Sequence, residues 1–128
     1  MTRVHPYLLW LGHAGDGTDI RAITDAGIEA VLQLAIEEPP LRLPRELIYF
    51  RVPILDGASN NHETLRLAAD LAVRVLKQQV PTLICCSAGA SRSPAIAACA
   101  ISIVENKSPA ECLDLVHGYH STDVSPGL

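Results

Sequence analysis

The chain has 128 residues, of which 48% are hydrophobic, and its formal net charge is −4. This length suits one domain, residues 1–128, that buries about two-thirds of the surface its unfolded chain would expose. No basic stretch interleaves with aromatic residues and no polybasic cluster is present, so neither nucleic acid nor a membrane surface is expected as a partner.

Strands and helices alternate along the first half of the chain. Hydrophobic patterning and turn residues predict a strand at residues 7–12, a helix at 18–27, and strands at 29–36 and 47–54. Thr18 or Asp19 is expected near the N-cap of the helix, and Gly27 just past its end. A turn-rich loop, residues 55–61, follows the third strand.

The alternation continues in the second half. The pattern predicts a helix at residues 62–79, a continuously apolar strand at 81–86, a buried helix at 92–105 and a last helix at 108–118. Ser108, Pro109 and Glu111 form a capping box with proline at the first helical position. This order predicts a three-layer α/β domain with a mostly parallel sheet of four to five strands flanked by helices.

The cysteines and histidines do not form a metal or disulfide pattern. Cys85 and Cys86 are adjacent, unlike the C-x-x-C spacing of zinc and thioredoxin-like sites, and Cys99 lies in an apolar helical context. His117 and His120 could share a helical face, but no acidic or cysteine partner stands beside them, so we interpret them as solvent-facing or turn residues. We therefore predict neither a metal nor a cofactor.

No segment is expected to cross or be exported through a membrane. The longest apolar run, residues 95–104, is far shorter than the roughly 20 residues of a spanning helix. The N-terminus has too brief an apolar core and too late a charge break for a secretory signal. We therefore expect a soluble protein of the cytoplasm.

The segment after the last predicted strand has the composition of an anion-binding loop. Between Cys86 and Arg92 stand five small residues, which are Ser87, Ala88, Gly89, Ala90 and Ser91. Such a loop lets backbone N–H groups turn inward around a phosphate, and Gly89 adopts a positive φ at little cost. The helix that follows directs its positive N-terminal end at the same place.

The side chains of this loop suit phosphoryl transfer. A thiol at a helix N-terminus, beside inward N–H groups, is stabilised as a thiolate, so Cys86 is the predicted nucleophile. Arg92 presents a planar fork that matches two phosphate oxygens. Ser93 lies one residue further and could hydrogen-bond the thiolate. For each residue taken alone, a structural role is the alternative interpretation.

The segment "CSAGASRS" resembles the C-x-x-x-x-x-R-S/T signature of the cysteine-dependent protein tyrosine phosphatases, and "AGASRSP" is similar to their dual-specificity branch. "YLLWLG", "DAGIEAVLQL", "IYFRVPILDG" and "TLICC" also follow the element order of that branch. The closing "CLDLVHGYHSTDVSPGL" resembles its last helix and turn, without the usual additional terminal helix. The resemblance implies a dual-specificity-phosphatase-like fold over nearly the whole chain.

The resemblance also implies a general acid and one departure from the family pattern. In that family an aspartate in the loop before the long helix protonates the leaving group, and Asp56 occupies this place. A structural alternative for Asp56 is a turn residue before glycine. The residue before the nucleophile is usually a histidine that orients the loop and tunes the thiol; here it is Cys85, which cannot make the same hydrogen bonds.

These features imply a phosphomonoester hydrolase that forms a cysteinyl-phosphate. We expect a shallow site that takes phosphotyrosine, phosphoserine or phosphothreonine in proteins, or a small phosphomonoester, with phosphate or sulfate fitting the loop. Two alternatives remain open at this stage: a non-catalytic phosphate-binding module, and a rhodanese-like or arsenate-reductase-like thiol enzyme. Glu63, at the start of the long helix, is the alternative proton donor to Asp56.

Overall fold

Four of the five strands run parallel, so their carboxyl ends share one edge of the sheet. The computed structural model describes residues 1–128. Its strands are β1 Thr2–Arg3, β2 Leu9–Gly12, β3 Ala30–Ala35, β4 Ile48–Ile54 and β5 Thr82–Cys85. They are arranged in the order β1-β2-β5-β3-β4, and only β1 is antiparallel to its neighbour. Ligands of parallel α/β sheets bind at this carboxyl edge.

Each helix begins where the sequence supplies a cap. A 3₁₀ turn at Asp16–Thr18 precedes α1 (Ile20–Asp25), followed by α2 (His62–Lys77), α3 (Arg92–Glu105) and α4 (Pro109–Tyr119). The side chains of Asp19, Asn61 and Ser108 accept hydrogen bonds from backbone N–H groups of the first turns of α1, α2 and α4. Such caps satisfy donors that the helix itself leaves unpaired.

The sheet separates a large hydrophobic core from a small one. The large core joins the sheet to α2, α3 and α4, whereas the small core joins it to Ile23 of α1. Residues alternate between the two faces along β5, as expected for a strand. Ile84 and Cys86 belong to the large core and Cys85 to the small one, so the adjacent cysteines face opposite sides of the sheet.

The predicted α/β fold, with a mostly parallel sheet of four to five strands, is confirmed. The predicted strands coincide with β2 to β5, and the predicted helices with α1 to α4. The helix predicted at residues 18–27 is shorter, because Asp19 is its N-cap and the chain before it forms the 3₁₀ turn. β1 was not predicted, since two residues are too few to show an alternating pattern.

Burial of the central strand predicts the cost of truncating it. We expect Ile84→Ala to lower the free energy of unfolding by about 2–5 kcal/mol, because Ile84 is 0% exposed and its loss leaves a cavity. The same substitution at Ile103, which is 53% exposed on α3, should change stability by no more than about 0.5 kcal/mol. Urea unfolding of both variants tests this; equal losses would show that the assigned core is wrong.

Candidate active site

Residues 87–91 form a loop that joins the end of β5 to the start of α3. Gly89 adopts a φ of +79°, which side chains of L-residues disfavour. A Cβ at this position would lie 2.8 Å from both the carbonyl carbon and the oxygen of Gly12, and 2.9 Å from the backbone nitrogen of His13. The loop therefore packs directly on the backbone at the end of β2, and only glycine fits there.

Three carbonyl groups of the loop are held by hydrogen bonds from other parts of the chain. The N–H of Ala14 donates to the Ser87 carbonyl (2.9 Å), and the N–H of Asp123 to the Ala90 carbonyl (2.6 Å). His120 Nε2 lies 2.6 Å from the Gly89 carbonyl oxygen, so this nitrogen carries the proton. In a trans peptide the next N–H points away from such a carbonyl. These bonds therefore turn the loop N–H groups away from the partners that hold the carbonyls.

The loop N–H groups are left available to a ligand. None of the N–H groups of residues 87–91 donates to a protein acceptor. Ser91 is the N-cap of α3, but its side chain makes no capping bond, so the first turn of that helix keeps its own donors. These residues line a cavity of about 360 Å³. An arrangement of unpaired N–H groups around a cavity at a helix N-terminus is suited to an anion.

Cys86 lies at the base of this cavity and Cys85 does not contribute to it. Cys86 is only 3% exposed, but it is one of the residues that line the cavity. Cys85 is buried on the opposite face of the sheet. Burial, followed by the nearby Cys86 and Asp16, raises the pKa of the Cys85 thiol to about 12. Cys85 therefore remains a neutral thiol, and it is not placed to act on a ligand.

Arg92 is buried and paired with an acidic residue that the sequence analysis did not identify. Its two terminal nitrogens donate to the two carboxylate oxygens of Glu37, each at 2.6 Å, and one of them also donates to the Ile54 carbonyl (2.9 Å). The hydrogen bond from Arg92 lowers the pKa of Glu37, and the same bond raises the pKa of Arg92. Arg92 Nε is buried and has no hydrogen-bond partner.

Asp56 reaches the cavity from the end of β4. Its Oδ1 accepts a hydrogen bond from Ser91 Oγ (2.7 Å), and the Ser91 hydroxyl oxygen in turn accepts one from the N–H of Ser125 (2.9 Å). Hydrogen bonds from Ser125 and then Ser91 lower the pKa of Asp56. The carboxylate is therefore ionised at neutral pH in this state. A phosphate dianion bound nearby would oppose this effect, because a like charge favours the protonated carboxyl.

Ser93 does not make the hydrogen bond that the sequence suggested. Ser93 lies in the first turn of α3 and is 0% exposed. Its hydroxyl has no hydrogen-bond partner and does not bond to Cys86. It is also not part of the cavity lining. Cys86, Arg92, Asp56 and the loop are thus brought together, whereas Ser93 stays behind them.

Several residues of the site were missed by sequence reasoning. Glu37 follows the carboxyl end of β3, as does Glu38, which accepts a hydrogen bond from Ser87 Oγ (3.0 Å). Their position just after a parallel strand indicates that they lie at the edge of the sheet where ligands bind, as it does for Asp56. Asp123 and Ser125 of the closing segment also line the cavity, and no local pattern marks them.

The interpretation of the two C-terminal histidines needs one correction. His117 is exposed, and its Nδ1 lies 2.7 Å from Thr122 Oγ1, as expected for a surface or turn residue. His120 instead contacts the loop through the Gly89 carbonyl, because α4 ends beside the loop. No group of three or more His, Cys, Asp or Glu side chains is arranged to hold a metal ion. No helix has the length and apolar character needed to cross a bilayer.

Solved structures with the same architecture are dual-specificity phosphatases and their relatives. Human DUSP28 superimposes with a TM-score of 0.86 at 21% identity, over 99% of this chain and 89% of that one. A mouse putative dual specificity phosphatase, complexed with zinc tungstate, gives 0.83 at 21% identity, over 96% and 77%. The human tyrosine phosphatase-like serine/threonine/tyrosine-interacting protein gives 0.80 at 17%, over 97% and 87%. At these identities the likeness concerns the fold.

The family itself follows from a sequence model. No curated protein sequence matches the chain significantly. Residues 12–105, which run from the last residue of β2 to the end of α3 and include β3 to β5 and the whole cysteine loop, match the family described as "Polymorphic toxin system, DSP-PTPase phosphatase". The matched range covers most of the chain and contains Cys86, Arg92, Glu37 and Asp56. The chain therefore belongs to the DSP-PTPase phosphatases of polymorphic toxin systems, within the dual-specificity branch of the cysteine-dependent protein tyrosine phosphatase superfamily.

Proposed function

We propose that residues 1–128 are a catalytic domain that hydrolyses phosphomonoesters, in the first place phosphotyrosine and phosphoserine or phosphothreonine of proteins, through a cysteinyl-phosphate. The observation that carries the proposal is the set of unpaired loop N–H groups around Cys86, with the buried Arg92 beside them. Backbone donors that are fixed before the reaction stabilise the charge of a phosphoryl transition state without reorganising.

The reaction proceeds in two displacements. The Cys86 thiolate attacks phosphorus, an S–P bond forms, and the P–O bond of the ester breaks while Asp56 gives its proton to the departing oxygen. Water then attacks phosphorus and Asp56 accepts its proton. The S–P bond breaks, which releases inorganic phosphate and restores the thiolate. Loop N–H groups and Arg92 Nε neutralise the phosphoryl oxygens in both steps.

Asp56 must gain a proton before the first step. In the unliganded site Ser91 and Ser125 hold it ionised. The substrate raises the pKa of Asp56 again, because its phosphate dianion would lie in the cavity that Asp56 lines.

The family description supports a setting in a polymorphic toxin system, and we propose that this domain is its phosphatase component. We also propose a cytoplasmic site of action, because reducing compartments keep a nucleophilic thiol free.

A phosphate-binding module without turnover is the second candidate. It is favoured by one observation, the bidentate bond of Arg92 to Glu37, which occupies both terminal nitrogens of the guanidinium. In that case the loop would bind phosphate and Cys86 would be inert. Turnover of a simple aryl phosphate separates the two candidates.

Role separation between Cys86 and Arg92 is the first test. Cys86→Ser should abolish hydrolysis of p-nitrophenyl phosphate while sulfate binding, measured by calorimetry, survives, because the loop donors remain. Arg92→Ala should weaken both, since the guanidinium contacts the anion in the ground and transition states. Cys99→Ser, the same substitution on the far part of α3, serves as the matched control and should retain turnover. Turnover that persists in Cys86→Ser would exclude Cys86 as the nucleophile.

The leaving group tests Asp56. Asp56→Asn should slow hydrolysis of phenyl phosphate by about 10²–10⁴-fold, the usual contribution of a general acid, with little change in sulfate affinity. For p-nitrophenyl phosphate, whose leaving group needs little protonation, the loss should be much smaller. An equal loss for both substrates would remove Asp56 from the acid role. Parallel kinetics of Asp123→Asn and Glu63→Gln would then identify which carboxyl replaces it.

The Arg92–Glu37 pair predicts an acid-sensitive contribution to stability. Because folding lowers the pKa of Glu37, the stabilisation is present above the ordinary value of 4.5 and is lost as the pH falls through the lowered value. Since the Glu37 side chain is 49% exposed, Glu37→Gln should cost no more than about 1 kcal/mol at pH 6.5 and less at pH 3. Urea unfolding at both pH values measures this difference.

Glu46→Gln is the control for that measurement. Glu46 pairs with Arg45 at 3.7 Å, but both side chains are highly exposed, so its removal should have no measurable effect at either pH. A cost for Glu37→Gln that does not change between pH 6.5 and pH 3 would show that the charge of Glu37 is not what stabilises the pair.

A further inference from the structure

The closing segment, residues 120–128, is fixed against the phosphate loop. Its residues His120, Asp123 and Ser125 are each hydrogen-bonded to one of the three consecutive loop residues 89–91. Further along, Gly127 packs so closely on Ala58 that a Cβ there would lie 2.5 Å from the Ala58 Cβ. The N–H of Asp123 itself donates to the Ala90 carbonyl, and Asp123 lines the cavity.

The charged groups of the cavity wall are mainly acidic. Glu37, Asp56 and Asp123 line it, and Arg92 is the only basic residue that does. The charge of Arg92 is matched by the bidentate bond to Glu37, which leaves Asp56 and Asp123 without a neutralising cation. Glu38 adds a further carboxylate through its bond with Ser87 Oγ. Arg51 is nearby, but it donates to the carbonyls of Ile36 and Glu38 and does not line the cavity.

Different groups of the site would contact the phosphoryl group of a substrate and the residues that flank it. In the proposed function the phosphoryl group is bound by the loop N–H groups and by Arg92 Nε, which have no hydrogen-bond partner in the protein. In the proposed reaction Asp56 is protonated, so the groups next to the phosphoryl would face the carboxylates of Asp123 and Glu38. Complementary charge at such a rim favours association and opposite charge opposes it, by an amount that salt reduces.

We propose that the site selects phosphoresidues flanked by lysine or arginine in phosphoproteins, and that Asp123 is a specificity-determining residue. This inference rests on the proposed phosphatase function. Nucleotides and phosphoinositides carry additional phosphates, which would be placed against the same carboxylates, so they are disfavoured. The net charge of −4 adds a general attraction for basic partners.

Two phosphotyrosine peptides that differ only in their flanking residues test the inference. One carries lysine at the −2 and +2 positions and the other glutamate. At low ionic strength kcat/KM should be at least about tenfold higher for the lysine peptide than for the glutamate peptide. In 0.5 M salt this ratio should fall to about two, because salt screens the attraction between the flanking lysines and the carboxylates of the site. Equal values at low salt, or a preference for the glutamate peptide or for a nucleotide, would overturn the proposal.

A matched pair of variants locates the effect. Asp123→Asn should reduce the lysine-to-glutamate ratio by about two- to fivefold, as expected for one rim charge. Glu105→Gln makes the same change of charge at the far end of the 14-residue helix α3, about 20 Å from the loop, and should leave the ratio unchanged. Equal effects of both variants would assign the preference to overall charge and contradict a role for Asp123.

Hydrolysis of p-nitrophenyl phosphate, which has no flanking residues, distinguishes failure of this inference from failure of the proposed function. If that substrate is hydrolysed and the peptides are not discriminated, only the charge preference is wrong. If it is not hydrolysed, the phosphatase function is wrong. Calorimetric affinities of the two peptides for Cys86→Ser then decide the preference by themselves: tighter binding of the lysine peptide supports it, and equal affinities reject it.

Discussion

The candidate site depends on the orientation of the peptide groups in residues 87–91. Their N–H groups face a ligand only because three carbonyls are held from outside the loop, by Ala14, His120 and Asp123. One of these partners follows β2 and the other two lie near the C-terminus, so both ends of the chain converge on the loop. Contact between Gly89 and the Gly12–His13 backbone completes the support. This orientation of the N–H groups therefore requires that the complete fold has formed around the loop.

In the unliganded site the side chains satisfy one another. Arg92 is bonded to Glu37, and the Asp56 carboxylate accepts a hydrogen bond from Ser91, so each of these charged side chains has a hydrogen-bond partner. Separating Arg92 from Glu37 would leave the buried guanidinium without its carboxylate partner. In the proposed function a phosphate therefore binds first through donors that need no rearrangement, which are the loop N–H groups and Arg92 Nε. Arg92 can keep its bond to Glu37 while Nε meets the ligand.

The sequence predicted those parts of the site that are close together in the chain. Cys86, Gly89 and Arg92 lie within seven residues, and a loop of small residues before a helix has only a few structural solutions. Asp56 lies 35 residues from its partner Ser91, and a family resemblance was needed to place it. Glu37 is 55 residues from Arg92, so nothing in the local pattern connects them. The closing segment was assigned to a turn, because its contacts are mostly backbone hydrogen bonds that leave no compositional signal.

Cys85, which stands before the proposed nucleophile, makes no contact that supports the loop. Successive residues of a strand face opposite sides of the sheet, so the side chain of Cys85 lies in the small core, near Gly17. Its neutral thiol, with a pKa raised to about 12, cannot replace a histidine that hydrogen-bonds the loop. The support for the loop comes instead from the other side, where His120 donates to the Gly89 carbonyl and the segment after it holds Ala90 and Ser91. A histidine therefore hydrogen-bonds the loop, but it lies at the end of α4 and not in β5.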